Sequence, residues 1–447
     1  MAAKAREIVS AGSAQAELGA ALRSLRTVRG LSQARLGALV HSSPDLVRRV
    51  ETTERFPAPE FIEACDRVLQ AKGALTELWR AADEERRRSS AAGTGIAGSV
   101  PARFDPNASE RLIADWLADD GPLADHAPQT GRLWVTDEDV AVAEGLLNMF
   151  RQLDHAHGAG RFAAQLATYI DTELTTLLSR PAANPEVARS RARLATGFLE
   201  LAGYQAVDSG RPGWAQSYYR RALALASTAS DRAYGAYLVA VNLGHLALHC
   251  DHPQTALRWA QAARSGAGTV ASPATRAAIT AVSARAHARM GEEQEATVLL
   301  IEAEQLLETS VLGDEPPWIA YFTRAYLADE IAHCLHDLGR APAARDHVAD
   351  ALGGVGRDRV RRLAIDAALL AATWLRSGDL DQACAVGQEA VGYAARTSSG
   401  RCVDRVARLL ADLTAHAGHR AVVELDEYVR EVLPSAAQRA TATRLRV

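Results

Sequence analysis

The sequence predicts an all-α protein with two parts, a small N-terminal helical domain and a long array of helix pairs. Hydrophobic residues make up 48% of the chain and aromatic residues only 5%, and Ala and Leu supply most of the hydrophobic share, which favours helices over strands. Apolar residues recur at helical spacing, and a pattern of Gly with Ala five residues later repeats along the C-terminal part. A chain of 447 residues is also too long for one hydrophobic core.

The first two predicted helices lie between residues 18 and 40. The first ends at Gly30, and its apolar side chains fall at helical spacing: Leu18, Leu22, Leu25 and Val28. Ser32 is placed to cap the second helix, because a Ser hydroxyl accepts from the free N–H groups at a helix start. His41 and Ser42 form the turn after this helix, whose apolar face comprises Leu36, Leu39 and Val40.

A third helix is predicted to begin at Pro44. The hydroxyl of Ser43 can cap it, and Pro at the first helical position has no N–H to leave unpaired. Its apolar residues would pack inward, namely Leu46, Val47 and Val50, which leaves Asp45, Arg48 and Arg49 on the outside. Two short helices with a tight turn, the second presenting arginines, have the geometry that enters the major groove of DNA.

The pattern from Leu31 to Glu51, Leu-Ser-Gln-x2-Leu-x6-Ser-x3-Val-x2-Val-Glu, resembles the lambda-repressor-like, or XRE, helix-turn-helix family. The stretch from Phe56 to Trp79 resembles the fourth and fifth helices in the actinobacterial branch of that family. The resemblance implies a five-helix DNA-binding domain over residues 1–88. The alternatives are a small helical bundle that merely exposes arginines and a helix-turn-helix fold that is used for protein contacts.

The resemblance also implies roles for individual residues. Gln33 would contact a phosphate, Asp45 and Arg49 would reach base edges, and Glu51 matches a structural position of the family. Arg48 and Arg55 are expected on phosphates, where they add affinity without sequence choice. The predicted DNA-contacting set is Ser32, Gln33, Ser43, Pro44, Asp45, Arg48, Arg49 and Arg55.

Two residues depart from the family pattern. His41 stands in the turn where most members have Gly, and Pro44 fills a position that often reads a base. The set of base contacts should therefore be thinner, with Arg49 as the main candidate. Positive charge gathers in the same region, since residues 18–55 hold 7 Lys and Arg against 3 Asp and Glu. This excess suits a polyanionic partner.

Residues 89–135 are predicted to form a linker. Arg86–Arg88 precede a run of small residues and glycines that ends at Pro101, and such a run lacks any apolar period. The glycines match a dinucleotide-binding fingerprint in spacing, but no strand precedes them and no helix follows, so no cofactor is expected. Within the linker, a short helix is predicted around residues 112–117.

From residue 136 onward, one short pattern recurs, in which Gly or Asp ends one helix and Ala opens the next. The clearest copy runs from Gly210 to Leu225. The anchor residues of all copies are Gly158, Gly210, Asp251, Gly291, Gly339, Gly378 and Gly418, spaced 52, 41, 40, 48, 39 and 40 residues apart. This pattern resembles a tetratricopeptide-type array, an α-solenoid of about seven helix pairs over residues 136–434, followed by a tail over residues 435–447.

In tetratricopeptide families the residue six before the anchor points into the concave groove. This rule gives Gln152, Tyr204, His245, Arg285, His333, Ala372 and Asp412, and the position three residues earlier adds Asn242 and Glu330. Packing does not need such polar side chains. They predict a small-molecule or peptide site around repeats two to five, formed by Tyr204, Asn242, His245, Arg285, Glu330 and His333. The alternative is that they are ordinary solvated positions on a scaffold.

Other chemistry receives little support. The histidines of His245-x3-His249-Cys250-x-His252 have the spacing of helical metal ligands, but polar residues at a helix end explain the pattern as well, so no metal is predicted. No catalytic motif occurs, and no enzyme is predicted. The five scattered cysteines indicate reduced thiols. No apolar run long enough for a membrane span or signal peptide exists, which predicts a soluble cytoplasmic protein without membrane contact.

The combination of both parts resembles one-component regulators. It implies a sequence-specific transcription factor that binds double-stranded DNA as a homodimer, because one helix-turn-helix reads only a half-site. The repeats would bind a small-molecule or peptide effector and alter the geometry of the dimer. The competing hypothesis is an interaction scaffold, whose repeats bind a partner protein while DNA contact is secondary.

Overall fold

A computed structural model describes residues 14–53, 56–80, 82, 103–118, 134–311 and 313–444. These residues are helical almost throughout, and the β-pairing they show is an isolated bridge between Val135 and Ala182. The chain divides into two compact units, residues 1–99 and 100–447. The all-α class predicted from the sequence is confirmed.

The N-terminal unit contains the five predicted helices. They are α1 (Ala14–Val28), α2 (Gln33–Leu39), α3 (Pro44–Glu51), α4 (Pro59–Leu69) and α5 (74–80). One buried apolar cluster joins them, and its almost completely buried members include Leu18, Leu22, Leu36, Val47, Ile62, Leu69 and Leu75. Glycine allows the helices to approach closely, because a Cβ on Gly37 would lie 2.7 Å from the carbonyl oxygen of Ser42.

The second unit begins with a short segment that packs on the repeats. This segment, residues 103–118, ends in helix α6 (Glu110–Ala118), and we call it the strap. Trp116 is buried where Gly235 and Gly266 leave room, since a Cβ on either glycine would lie 2.3 Å from its indole ring. Residues 103–118, interpreted from the sequence as part of a linker, thus belong to the folded second unit.

Seven helix pairs follow the strap in the part of the chain that is described from residue 134 onward. Pairs one to four are α7 (Asp137–His157) with α8 (Ala163–Tyr169) and α9 (Thr175–Ser179); α10 (Pro185–Asp208) with α11 (Pro212–Thr228); α12 (Arg232–Tyr237) and α13 (His245–His249) with α14 (Pro253–Ala267); and α15 (Pro273–Met290) with α16 (Glu293–Glu308). A π-helical segment joins α8 to α9 and another joins α12 to α13, namely Ile170–Leu174 and Leu238–Gly244. A short 3-10 turn, Ala159–Arg161, lies between α7 and α8.

Pairs five to seven complete the array, and the observed number of pairs agrees with the prediction. They are α17 (Arg324–Asp337) with α18 (Ala341–Gly354); α19 (Val360–Arg376) with α20 (Leu380–Ala395); and α21 (Gly400–Asp412), extended by the 3-10 turn Leu413–His416, with α22 (Arg420–Val432). A last helix, α23 (Pro434–Arg444), packs on α21 and α22. The sequence interpretation of a tail from residue 435 therefore does not describe this helix.

The anchor residues form the turns inside the pairs. Five of the six glycine anchors have the positive φ that favours Gly, for example Gly210 with φ +69° and Gly378 with φ +82°, whereas Gly418 does not. Asp251 adopts it as well, with φ +66°. The Ala five residues later is fully buried in five copies: Ala215, Ala256, Ala296, Ala344 and Ala383. The repeating pattern thus marks a turn and the packing residue that follows it.

The array curls until its first two pairs pack against its last two. Asp154 of α7 forms an ion pair with Arg361 of α19 at 2.7 Å, although the two residues are 207 positions apart. The backbone N–H of Ser398 donates to the carbonyl of His157 at 2.9 Å. These contacts join the two ends of the array. No described helix is long and apolar enough to cross a membrane.

Candidate functional site

The first candidate surface is α3 of the N-terminal unit. Ser32 and Ser43 cap α2 and α3, each accepting a hydrogen bond from the backbone N–H three residues later, and Pro44 is the first residue of α3. Three side chains of this helix project outward and are each about half exposed: Asp45, Arg48 and Arg49. The caps and the outward side chains therefore lie where the sequence predicted them. Arg55 lies outside the described residues.

Asp45 holds both arginines in the free protein. Its carboxylate lies 3.1 Å from the Arg48 guanidinium and 2.7 Å from the Arg49 guanidinium. These pairs are solvent-exposed, so each stabilises the helix by no more than ~1 kcal/mol and can rearrange at low cost. DNA phosphates and base edges would compete with Asp45 for the same guanidinium groups.

Behind α3, Glu51 ties three elements together. Its buried carboxylate accepts from Arg26 at 2.5 and 3.0 Å and from the side-chain amide of Gln33 at 2.8 Å. This arrangement fits the structural role that the resemblance gives Glu51. The Gln33 amide nitrogen carries two protons, so one can donate to Glu51 while the other reaches a phosphate.

The turn between α2 and α3 contains His41, one of the two departures from the family pattern. His41 adopts φ +52°, in the left-handed region that glycine occupies without strain. A side chain there costs roughly 1–2 kcal/mol relative to Gly. The turn keeps its geometry despite this substitution, because Gly37 and the Ser43 cap on either side of the turn fit closely.

The second candidate site is the concave surface of the array. Three of the six residues predicted there meet directly: Glu330 accepts from Arg285 at 2.7 Å and lies 3.4 Å from Nε2 of His245. Burial alone would raise the pKa of Glu330, but the neighbouring His245 and Arg285 hold it below its ordinary value. The three residues come from pairs three, four and five, so one carboxylate connects three repeats.

The other three predicted residues lie in neighbouring contacts. Tyr204 is flanked by two guanidinium groups, with Arg361 and Arg401 each 4.6 Å from its ring centre. His333 lies 3.6 Å from Asp329, and its burial, followed by nearby Arg285, lowers its pKa well below the ordinary value. Asn242 is buried in the π-helical segment of pair three. The six residues therefore line one polar band.

Sequence reasoning missed most partners in this band. They are Asp154, Asp208, Asp329, Arg361, Arg362, Asp366, Arg401 and Arg405. Asp208, for example, accepts from Ser399 at 2.5 Å and from Arg401 at 3.1 Å. One local signal existed: arginines recur at 401, 405 and 408, which share one face of α21.

The histidines considered for metal binding do not form a metal site. Within the described parts of the chain, no group of three or more His, Cys, Asp or Glu side chains could hold a metal ion. His245 faces Glu330 instead. The cysteines are free thiols, four of them buried and Cys250 half-buried.

Comparison with known proteins bears on the N-terminal unit. Residues 17–79 match the family model of a helix-turn-helix domain. The N-terminal unit is a helix-turn-helix domain. No curated protein matches the chain.

Two solved structures match this chain at low sequence identity. One is a Rap protein complexed with Competence and Sporulation Factor, at 14% identity and a TM-score of 0.43, over 69% of this chain and 96% of that chain. The other is Bacillus thuringiensis PlcR in complex with the peptide PapR7 and DNA, at 12% identity and a TM-score of 0.27, over 91% of this chain and 99% of that chain.

Proposed function

We propose that the protein is a sequence-specific, DNA-binding transcription regulator of the lambda-repressor-like type. One observation carries this proposal: inside a matched helix-turn-helix domain, the capped helix α3 presents Arg48 and Arg49 outward, where both form exposed ion pairs with Asp45. An Arg fork on guanine discriminates against other bases by ~1–3 kcal/mol. Arg49 is the proposed base-reading residue, and Arg48 the proposed phosphate contact.

The proposed active form is a homodimer. A single helix-turn-helix covers one half-site, and two copies about one helical turn apart add both affinity and specificity. A DNA-binding regulator of this type would act in the cytoplasm, where its target lies. We propose no catalytic activity.

We propose that the array binds a small-molecule or peptide effector on its concave surface. The polar band supports this, because it contains buried atoms without a hydrogen-bond partner, among them Nε of Arg285 and Oδ1 of Asn242. Unpaired buried polar atoms cost free energy, so they mark a place where a ligand can supply partners. An effector that favours one arrangement of the array would change the affinity of the dimer for DNA.

The test begins with genome-wide mapping of where the protein binds, followed by titration of one recovered site with purified protein. We expect binding to that site at least ~10³-fold tighter than to a scrambled duplex, with a steep loss between 50 and 200 mM salt. Arg49→Ala should remove most of the preference. Arg67→Ala, which removes an exposed arginine from α4, is the matched control and should keep it.

Binding that shows no preference for any sequence would instead favour the scaffold hypothesis. For the effector site, a reporter driven by the mapped promoter is measured in cells with Arg285→Gln or His333→Gln protein. An altered response of the reporter supports a ligand site in the polar band. An unchanged response in both variants contradicts it.

A further inference from the structure

We infer that the concave surface of the array binds an oxyanion, a carboxylate or phosphate group of its effector, between Arg285 of pair four and Arg401 and Arg405 of pair seven. This inference rests on the proposed function only in assuming that the array binds an effector. It adds the chemical class of that effector and the residues that recognise its charge.

The first observation is a row of arginines on α21. Arg401, Arg405 and Arg408 follow one another at helical spacing, so they share one face of the helix, and we call them the arginine stripe. Asp412, a groove position of the repeat, lies on the same face. The apolar residues of α21 that pack into the core lie elsewhere on the helix: Cys402, Val406, Leu409 and Leu410. The core packing of α21 therefore does not use Arg405 or Arg408, whereas Arg401 also pairs with Asp208 of pair two.

The second observation is a cation without a counter-ion. Arg285 pairs with Glu330 and Arg401 pairs with Asp208, but no Asp or Glu in the described ranges forms an ion pair with Arg405. Burial and the positive charges of Arg408 and Arg285 lower the pKa of Arg405 to about 10. The negative charges of Asp329 and Asp337 act in the opposite direction but are weaker. Arg405 thus has carboxylates in its neighbourhood, Asp329 and Asp337, but no direct ion-pair partner among the described residues.

The third observation is a pair of unused donors beside this cation. Nε of Arg285 and one terminal nitrogen of Arg401 are buried and have no hydrogen-bond partner. Guanidinium groups offer a planar fork of N–H donors that matches carboxylate and phosphate oxygens. An oxyanion at this place would accept from both unused donors and supply the missing charge next to Arg405.

The histidines around the stripe do not add positive charge at neutral pH. Burial, followed by nearby arginines, lowers the pKa of His249, of His333 and of His336 below the ordinary value, to about 4 for His336. The recognition therefore depends on arginines, whose charge persists across the physiological pH range. Arg401 and Arg405 remain partly exposed, which leaves a route for a ligand from solvent.

The experiment measures calorimetric binding of citrate and, separately, inorganic pyrophosphate to the full chain at constant ionic strength, with NaCl as the balancing salt. We expect saturable binding of at least one anion, and a loss of at least tenfold in affinity for Arg405→Gln. Arg405→Lys keeps the charge without the fork and should give an intermediate loss. Arg220→Gln, at an exposed arginine of α11, is the matched control and should bind like the unmodified protein.

Binding of citrate alone assigns a carboxylate effector, binding of pyrophosphate alone assigns a phosphorylated one, and binding of both supports a general oxyanion site. Saturable binding of neither anion overturns the inference, as does equal affinity of Arg405→Gln and Arg220→Gln. Thermal unfolding of each variant verifies that it is folded.

DNA binding by the same protein variants distinguishes this inference from the proposed function. Without added anion, Arg405→Gln should bind the mapped DNA site like the unmodified protein. DNA binding without anion binding would overturn only the inference. Anion binding that depends on Arg405, without preference for any DNA sequence, would overturn only the proposed function as a DNA-binding regulator.

Discussion

The α3 surface and the polar band of the array use the same chemistry, arginine against carboxylate, in opposite surroundings. On α3, Asp45 holds Arg48 and Arg49 in water, where such pairs are weak and easily exchanged. In the array, the buried carboxylate of Asp208 holds the buried Arg361 and the partly exposed Arg401, so losing one partner leaves a buried charge uncompensated. Exposed pairs suit a surface that exchanges partners with DNA, whereas buried pairs fix which repeats meet.

The largest effect on stability should come from breaking the buried ion pairs of Asp208. Asp208→Ala removes the acceptor of Ser399 and the ion-pair partner of Arg401, and weakens the hold on Arg361. We expect the free energy of unfolding of the array to fall by ~3–5 kcal/mol. Urea denaturation followed by circular dichroism measures it. A loss below ~1 kcal/mol, the range expected for exposed pairs, would mean that both regions behave alike.

Arg49→Ala tests the exposed set in the complex with DNA rather than in the free protein. We expect a loss of ~1–3 kcal/mol in discrimination between the mapped site and a site with one substituted guanine. Stability of the free protein should hardly change, because the pair with Asp45 is exposed. Competition binding with both duplexes measures the discrimination. Equal discrimination by Arg49→Ala and the unmodified protein would show that Arg49 does not read a base.

Lowering the pH should change the stability of the array in a way that the α3 surface does not share. Burial, then Arg285 and other nearby arginines, depresses the pKa of His333, so the unfolded chain binds a proton that the folded array does not. The stability contributed by neutral His333 is complete above its ordinary pKa of 6.5 and decreases as pH falls toward the depressed value. His333→Gln should reduce the slope of stability against pH between about 6 and 5 by ~1.4 kcal/mol per pH unit. Urea titrations at several pH values measure it, and an unchanged slope contradicts the assignment.

The smallest effect in stability should come from Asp45→Ala, at ~0–1 kcal/mol. Its effect on DNA should have the opposite sign, since the change releases two arginines and removes a negative charge that repels phosphate. We expect binding to scrambled DNA to tighten several-fold at low salt, and the gain to shrink as salt rises. Fluorescence anisotropy at several salt concentrations follows both trends. Weaker binding by the variant would assign Asp45 a direct contact with a base.

Local features were predictable from the sequence. The caps at Ser32 and Ser43 and the outward side chains of α3 depend on neighbours within four residues. The turn at Gly210 depends on backbone freedom alone. The positions six and nine residues before each anchor also predicted that His245, Arg285 and Glu330 lie together. The repeat places equivalent positions side by side.

Contacts between distant repeats were not predictable in the same way. Asp154 meets Arg361 only because small rotations at each helix pair add up to closure of the array, and no single repeat records their sum. The docking of Trp116 likewise depends on two glycines, Gly235 and Gly266, that look ordinary in a helical pattern. The predicted short helix around residues 112–117 was found, but its place on the array was not.

The strap sets where the chain enters the fold of the second unit. Gln216 of pair two bonds to the backbone of Asp105, and Trp259 of pair three donates to Glu110. Trp116 lies in the seam between α12 and α14. Residues 103–118 therefore contact pairs two and three although pair one follows them in the sequence, and any sliding of α12 against α14 must displace the indole between them. A shift in the middle of the array would thus act on the strap directly, without passing through the terminal repeats.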